Sequence, residues 1–139
     1  MPAPMAILVG ILLADLDSFK KVNDTYGHLA GDAALQESFK RIMAAIGPKN
    51  SVGCYGDDYF LIVLSSCEAE IDILTQAERI RWMLFIEPIQ LTDATVPITS
   101  SIGATSNANL RDMESLIRNA DAALYRAKRA GGNRFDWAR

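Results

Sequence analysis

The stretch that decides the fold lies at residues 15–32 and reads Asp-Leu-Asp-Ser-Phe-Lys-Lys-Val-Asn-Asp-Thr-Tyr-Gly-His-Leu-Ala-Gly-Asp. It holds four acids, two lysines, an asparagine, two glycines and the only histidine of the chain. An apolar run at residues 6–14 comes directly before it. Because an ordinary connection between a strand and a helix needs far less polar chemistry, we expect this stretch to carry a functional site.

The composition is that of one globular domain. The chain has 139 residues, half of them hydrophobic, which suits a single core. A net charge of −3 argues against a nucleic-acid binder. The two cysteines, Cys54 and Cys67, give with one histidine neither a zinc pattern nor a disulfide framework. We therefore expect reduced thiols and a cytoplasmic setting.

The first apolar run is too short for a membrane span. Residues 5–14 are about half of the ~20 residues that a transmembrane helix needs. No positive residue precedes the run, which argues against a secretory signal. We expect a buried strand and no membrane contact by this domain.

The order of the periodic segments predicts the fold class. We expect strands at residues 6–14, 51–55, 60–64, 98–105 and 133–137, and helices at residues 32–46, 68–85 and 112–129. Gly47-Pro48 and Gly131-Gly132 end the first and last helices. The pattern β-α-β-β-α-β, followed by a helix and a short strand, predicts an α+β ferredoxin-like antiparallel sheet with flanking helices. Because the chain starts almost directly on a strand, we expect a single domain, residues 1–139, cut from a longer multidomain protein.

Two acids are candidates for a metal site. Asp15 follows the first apolar run, and Asp58 stands at the bend of the predicted hairpin. The first strand and the central hairpin are neighbours in a ferredoxin-like sheet, and two carboxylates brought together repel unless a cation lies between them. Oxygen ligands suit Mg²⁺. The alternative is two solvated turn acids.

Other polar residues are candidates for nucleotide binding. Ser18 to Lys21 can open a helical turn whose free amides hold phosphate, with Lys20 adding a charge. Asn23 and Asp32 carry the groups that pair with a guanine edge. The alternatives are an N-cap role for Asp32, a turn role for Asn23 and, for Lys128, an interaction with the dipole of its helix.

These residues resemble the GGDEF family, the diguanylate cyclase domain of bacterial cyclic di-GMP signalling. The first block matches the family pattern D-x-D-x-F-K-x-x-N-D-x-x-G-H-x-x-G-D at every fixed position. The match continues through residues 101–103 and 120–128, so that it covers essentially the whole chain in order. The resemblance implies the fold of nucleotide cyclase and polymerase palm domains.

The resemblance also implies an activity and its residues. The family condenses two GTP molecules into cyclic di-GMP across a head-to-head homodimer, with Mg²⁺ or Mn²⁺ as cofactor. The implied metal ligands are Asp15, the Leu16 carbonyl and Asp58, and Asp58 is also the acid of the catalytic motif. The implied guanine-binding residues are Asn23 and Asp32, and the implied phosphate-binding groups are the amides near Ser18 and Phe19 together with Lys20 and Lys128.

The signature turn departs from the family pattern. The family has Gly-Gly-Asp/Glu-Glu-Phe, whereas residues 56–60 read Gly-Asp-Asp-Tyr-Phe. Asp58 keeps one acid. Asp57 replaces the second glycine and adds a negative charge near the expected triphosphate. Tyr59 replaces the glutamate, so that a phenol that is normally neutral takes the place of a carboxylate.

Further departures affect phosphate and product binding. Cys54 stands where the family usually has an arginine. Gly132 replaces the arginine of the family's Gly-Arg-Asn, so a phosphate-binding arginine is missing unless Arg134 or Arg129 substitutes. The Arg-x-x-Asp of the product-inhibition site is absent from residues 47–50, and the family's preceding N-terminal helix is not in this sequence.

Two functional hypotheses follow. The first is a degenerate GGDEF domain with impaired catalysis that binds GTP or serves as a regulatory and dimerising module, beside a phosphodiesterase or sensor domain. The second is an active diguanylate cyclase with a variant motif. A purely structural interaction domain would bind no nucleotide at all.

Overall fold

The computed structural model describes residues 8–56, 58–92, 94–108 and 112–138. The helices are, in chain order, α1 (Phe19–Tyr26), α2 (His28–Ile46), α3 (Glu70–Phe85) and α4 (Met113–Arg129). The strands are β1 (Leu8–Leu16), β2 (Ser51–Cys54), β3 (Tyr59–Cys67), β4 (Ile89–Gln90), β5 (Thr95–Val96), β6 (Ser100–Ser106) and β7 (Arg134–Trp137). Within these ranges no helix combines the length and the apolar character that a membrane crossing requires.

Five strands form one sheet, in the order β2-β3-β1-β6-β7. The central strand β1 pairs antiparallel with both β3 and β6, and β2 pairs antiparallel with β3. β7 adds to β6 in parallel. The order β2-β3-β1-β6 is that of the ferredoxin-like β-α-β-β-α-β unit, so the predicted fold class is confirmed.

Helices cover both faces of this sheet, as the continuous apolar run of β1 requires. Leu12 and Ala14 belong to the larger core, which includes buried residues of α2 and α3. Ile11 and Leu13 belong to a second cluster, with Leu116, Ala120 and Leu124 of α4. Because side chains alternate along a strand, Asp15 shares the α4 face with Ile11 and Leu13.

A glycine in β6 brings α4 close to the sheet. A β-carbon on Gly103 would overlap the Ala120 carbonyl oxygen and the Leu124 amide nitrogen. Only a residue without a side chain allows this approach of helix backbone to strand. The close packing sets the height of α4 above β1 and therefore the reach of the side chains near its C-terminal end.

The first strand extends further than the sequence indicated. The prediction placed it at residues 6–14, but β1 continues to Leu16, while residues 6 and 7 lie outside the described part of the chain. Asp15 therefore lies within the strand and not after it. The reason is pairing on both sides, since Asp15 stands opposite Tyr59 of β3 and Ser101 of β6.

The start of the second helix differs from the prediction. α2 begins at His28 and not at Asp32, and its N-cap is Gly27 at a φ of 92°. The alternative in which Asp32 is the N-cap is therefore wrong. The turn predicted at Ser18–Lys21 is the beginning of a complete helix, α1. The short β4–β5 ribbon was not predicted.

The remaining boundaries agree with the prediction to within about two to three residues. Gly47 ends α2, as expected from Gly47-Pro48. Asp112 caps α4 by accepting a hydrogen bond from the Ser115 amide. Both cysteines are free thiols, Cys54 exposed and Cys67 buried.

Candidate functional site

Two of the predicted acidic residues lie at the same end of the sheet. Asp15 stands opposite Tyr59, the first residue of β3, and Asp58 directly precedes that strand. The Tyr55 amide donates a 2.8 Å hydrogen bond to the Tyr59 carbonyl and closes the hairpin. Asp57, at the bend, lies outside the described residues. The antiparallel register thus joins the tip of β1 to the signature turn.

The Asp15 carboxylate is completely buried, at 0 % exposure. The Lys128 ammonium of α4 forms an ion pair with its Oδ2 atom. Besides that ammonium, no donor in the described part of the chain hydrogen-bonds to either carboxylate oxygen. A buried carboxylate with so few donors around it favours a cation as its neighbour. This chemistry fits a metal ligand, and in the structure the lysine supplies the positive charge.

Lys128 lies between the buried carboxylate and solvent, with 39 % of its side chain exposed. Burial lowers the pKa of the Lys128 ammonium from its ordinary value. A partly exposed ammonium above a strand tip is also within the chemistry expected of a phosphate-binding lysine.

Tyr59 lies at the position of the family's glutamate, and its ring centre is 5.8 Å from the Lys128 Nζ atom. Burial, and then the negative charges of Asp58 and Asp121, raise the pKa of the Tyr59 hydroxyl above its ordinary value. The phenol is therefore neutral at physiological pH. It lines an open groove of about 610 Å³ between the hairpin and α4, together with Tyr55 and Asp121.

The connection from β1 to α1 provides the expected amide-rich turn. Ser18, the N-cap of α1, has a left-handed φ of 60° and its side chain makes no capping hydrogen bond. The first-turn amides of α1 are thus without a side-chain cap, which is how helix starts accept phosphate oxygens. Phe19 packs against the core, and Lys20 is exposed.

Asn23 of α1 lies directly against Gly31 of α2. A β-carbon on Gly31 would overlap the Asn23 carboxamide, with Phe19 next nearest. Asp32 follows Gly31 in the helix and is exposed. The two residues predicted to recognise guanine therefore belong to neighbouring parts of the α1–α2 pair, and Gly31 fixes how closely the amide approaches α2.

Sequence reasoning assigned no role to Asp17. Its carboxylate accepts three hydrogen bonds, from the Thr99 hydroxyl (2.7 Å), the Ser101 hydroxyl (2.6 Å) and the Asn133 amide (2.8 Å). These bonds join the end of β1 to the start of β6 and to the turn between α4 and β7. The signal available in the sequence was the second acid of Asp-Leu-Asp, directly after the end of β1.

The candidate substitutes for the missing arginine have partners of their own. Gly132, at the arginine position, lies against the Asp17 carboxylate. The Arg134 guanidinium folds back and donates to the Gly132 carbonyl (3.1 Å). The Arg129 guanidinium donates to the Tyr125 hydroxyl (3.1 Å). Of the two, only Arg134 lies over the turn that carries the family's arginine.

Residues 47–50, where the family places its product-inhibition motif, have a structural use. The Asn50 side chain donates to the Ile46 carbonyl (2.8 Å) and accepts from the Ser65 amide (2.9 Å). Asn50 thus ties the end of α2 to β3.

The described residues supply a small set of metal ligands. No group of three or more His, Cys, Asp or Glu side chains within them is arranged to hold a metal ion. Asp15, the Leu16 carbonyl and Asp58 remain the candidates, and substrate oxygens would complete their set, as is common for Mg²⁺. The buried carboxylate of Asp15, whose charge is compensated by a cation, is the feature that fits this use.

The fold and the site together define a class. A ferredoxin-like sheet with a buried carboxylate at the tip of its central strand, and an uncapped helix start beside it, is the arrangement of a palm-like domain. The chain belongs to the GGDEF family, since the family described as "Diguanylate cyclase, GGDEF domain" matches residues 6–134.

Individual relatives agree with this assignment. Diguanylate cyclase A of Treponema denticola is 37% identical over 127 residues, which is 91% of this chain and 34% of that protein. Diguanylate cyclase DosC of Escherichia coli K12 is 38% identical over 131 residues, 92% of this chain and 28% of that protein. The chain therefore spans about a third or less of the length of these curated relatives.

A solved structure shows the same fold. The GGDEF domain of PA1120 (TpbB or YfiN) from Pseudomonas aeruginosa has a TM-score of 0.90 and 31% sequence identity. The match covers 96% of this chain and 78% of that one.

Proposed function

We propose that this chain is a degenerate GGDEF domain that binds GTP with a divalent cation, Mg²⁺ or Mn²⁺, and is impaired as a cyclase. The observation that carries the proposal is a contrast within one site. The contact between Asn23 and Gly31 is intact, whereas a neutral tyrosine occupies the glutamate position and lies beside Lys128.

Guanine recognition is assigned to Asn23 and Asp32. A carboxamide both donates and accepts hydrogen bonds, and a carboxylate accepts from paired N–H groups, which is the complement of a guanine edge. Gly31 lets the Asn23 side chain lie against α2 beside Asp32. This arrangement favours GTP over ATP, because an adenine would leave part of this hydrogen-bonding capacity unpaired.

The triphosphate is assigned to the α1 turn and the lysines. The backbone amides near Ser18 and Phe19 have no side-chain cap, and Lys20 and Lys128 add positive charge. Asp15, the Leu16 carbonyl and Asp58 are assigned to the cation, which when bound offsets negative charge on the phosphates and on the attacking 3′-hydroxyl. The protein's part is to orient the nucleotide so that the 3′-hydroxyl faces a second domain.

Catalysis is impaired because the altered positions belong to the signature motif and to the expected phosphate-binding positions. Loss of one transition-state electrostatic contact commonly costs about 10²–10³ in rate. Here Tyr59 removes a carboxylate and Gly132 removes an arginine. Asp57 adds a negative charge to the signature motif. These changes leave the nucleotide-reading residues in place.

An active cyclase is the second candidate function, and it rests on one observation. Asp15 and Asp58 both remain at the joined tip of β1 and the hairpin, so two acidic metal ligands are retained. Under this alternative Asp58→Ala abolishes turnover.

The surroundings of the domain follow from the family. We propose that residues 1–139 form one GGDEF domain of a longer protein in the cytoplasm, where it pairs with a second copy and responds to a sensor or phosphodiesterase domain. The length of the curated relatives, about three times that of this chain or more, supports a multidomain setting.

Calorimetric titration of the full-length protein with GTP, with and without Mg²⁺, tests the proposal. We expect saturable GTP binding that strengthens with Mg²⁺, weaker ATP binding and little cyclic di-GMP on chromatography. Asn23→Ala and Asp32→Ala should each weaken GTP binding by about tenfold, the value of one well-placed hydrogen bond. Asp24→Ala, which removes an exposed acid from α1, the helix of Asn23, is the matched control.

The outcomes separate the candidates. Cyclic di-GMP formation at the rate of ordinary family members replaces the proposal with the active cyclase. Absence of GTP binding, or binding that both Asn23→Ala and Asp32→Ala leave unchanged, overturns the assignment of the nucleotide site.

A further inference from the structure

A lysine forms an ion pair with one oxygen of the carboxylate that is assigned to the metal. The Lys128 ammonium forms its ion pair with Asp15 Oδ2, in a carboxylate with 0 % exposure. Within the described residues, no donor other than this ammonium hydrogen-bonds to either oxygen of that carboxylate. The ion pair is therefore the main compensation for burying the negative charge of Asp15.

Tyr59 contributes to holding the lysine there. It stands directly opposite Asp15 in the β1–β3 register, so the two side chains share one face of the sheet. The centre of its ring lies 5.8 Å from the Lys128 Nζ atom, within the range at which a cation is attracted to an aromatic ring. The Asp15 carboxylate and the Tyr59 ring thus both hold the Lys128 ammonium in place.

Two cations cannot use one buried carboxylate without repelling each other. A divalent cation at Asp15 and the ammonium at the same group would lie within a few ångströms, where like charges are strongly unfavourable. A glutamate at position 59, as in the family pattern, would offer a second anion to share between them. A neutral phenol offers only its ring.

We propose that Lys128, held by Tyr59, competes with the divalent cation for Asp15, so that a metal binds this chain only by displacing the lysine. The proposal rests on the assignment of Asp15 to the metal under the proposed function. It makes Tyr59 a positioning residue, because its ring stabilises the Asp15–Lys128 ion pair and thereby lowers the affinity of Asp15 for metal.

Binding of Mn²⁺ alone, without nucleotide, tests the competition through the electron paramagnetic resonance signal of the free ion. Lys128→Met removes the competing cation and should tighten Mn²⁺ binding by about tenfold or more. Lys40→Met removes the same charge from an exposed position on α2, on the other face of the sheet, and should leave Mn²⁺ binding unchanged. Asp15→Asn should abolish it.

Two variants of Tyr59 separate the ring from the hydroxyl. Tyr59→Phe keeps the ring near Lys128 and should leave the Mn²⁺ affinity within about twofold of the unsubstituted protein. Tyr59→Leu removes the ring and should tighten Mn²⁺ binding by about two- to fivefold, the range of a partly exposed cation–ring contact. Equal affinities of the Phe and Leu variants would remove Tyr59 from the proposal.

A further measurement uses the unsubstituted protein, so its result does not depend on whether a variant folds. Acetylation of lysines by an N-hydroxysuccinimide ester, followed by mass spectrometry of the peptides, reports how available each ammonium is. We expect saturating Mg²⁺ to speed modification of Lys128 at least twofold while leaving Lys40 unchanged, because the metal separates Lys128 from its carboxylate. Lys128 modification that Mg²⁺ does not affect overturns the proposal.

The results are distinguishable from failure of the proposed function. If Mn²⁺ binding tightens in Lys128→Met but GTP never binds, the competition holds and the nucleotide assignment fails. If GTP binds with Mg²⁺ but Mn²⁺ affinity is unchanged in Lys128→Met, the nucleotide site holds and the competition is wrong.

Discussion

Asn23 fills the space beside α2 that a β-carbon on Gly31 would occupy, so that an amide on one helix lies against the backbone of the next. The contact joins α1, which begins at the phosphate turn, to the helix that carries Asp32. The position of the Asn23 carboxamide therefore depends on the glycine at position 31.

Gly31→Ala should displace Asn23 without unfolding the protein. Alanine favours the helix by up to about 1 kcal/mol, which offsets part of the clash. We expect GTP binding to weaken by about tenfold, the loss of one well-placed hydrogen bond, as measured by calorimetry. Gly53→Ala is the matched control, because a β-carbon there meets nothing within 4 Å. Equal GTP affinity of the two variants would contradict the prediction.

Asp17→Ala should destabilise the whole domain. It leaves the Thr99 and Ser101 hydroxyls and the Asn133 amide without their shared acceptor. Hydrogen bonds to a charged acceptor contribute about 1.5–3 kcal/mol each and are not additive, so we expect a loss of about 3 kcal/mol in the free energy of unfolding in urea. Asp24→Ala, in an exposed position, should change it by less than about 0.5 kcal/mol. A small effect of Asp17→Ala would mean that water replaces the carboxylate.

Arg41 should contribute far more to the free energy of unfolding than an arginine in a similar surface ion pair. Its guanidinium donates to the carbonyls of Leu84, Glu87 and Pro88 at the end of α3, besides pairing with Glu37. We expect Arg41→Met to cost about 2 kcal/mol in the free energy of unfolding, because these carbonyls lose a charged donor. The control is Arg118→Met, which breaks an exposed i,i+4 pair with Glu114 and should cost less than about 0.5 kcal/mol. Similar losses in the free energy of unfolding for the two variants would show that Arg41 does not stabilise the end of α3 through these carbonyls.

The two thiols should differ in reactivity. Burial, and then the charge of Asp72, raise the pKa of the Cys67 thiol above its ordinary value of 9.0. The folded protein therefore keeps this proton to a higher pH than the unfolded chain, and the contribution of Cys67 to stability is lost as the pH rises above about 9. In native buffer near pH 8 we expect iodoacetamide to modify the exposed Cys54 and spare Cys67, with both modified in urea. Equal rates of modification of Cys54 and Cys67 in the native protein would contradict the burial of Cys67.

Most of the fold could be predicted from the sequence, and the failures have identifiable causes. The apolar run of β1 and the glycine stops after α2 and α4 mark their elements directly. The start of α2 was missed because its cap is Gly27 in a positive-φ conformation, without the polar side chain that usually marks a helix start. Asp32, which looks like such a cap, lies in the second turn.

The site was only partly predictable. The order of the elements was enough to place Asp15 at the same end of the sheet as Asp58, because β1 and β3 are neighbouring strands. The ion pair of Asp15 with Lys128 depends on how closely α4 packs on β6, which a single glycine, Gly103, permits. A contact of this kind depends on packing between elements that are far apart in the chain, and no local pattern reports it.

Restoring the glutamate position should recover part of the lost activity. Tyr59→Glu returns a carboxylate to the reacting centre and gives Lys128 a second anionic neighbour. Asp57→Gly also removes a negative charge from the signature turn. We expect the double variant to form cyclic di-GMP from GTP and Mg²⁺ at least about tenfold faster than the unsubstituted protein, since one such electrostatic contact is worth about 10²–10³ in rate when fully positioned.

The control for this gain adds the same charge to the same hairpin at another place. Tyr55 lines the groove beside Tyr59 and is exposed, so Tyr55→Glu combined with Asp57→Gly should leave turnover at the level of Asp57→Gly alone. Equal rates for the two double variants would show that charge in the hairpin, and not a carboxylate at position 59, limits the reaction. If the Tyr59→Glu double variant gains nothing over Asp57→Gly alone, the missing carboxylate at position 59 is not what limits turnover.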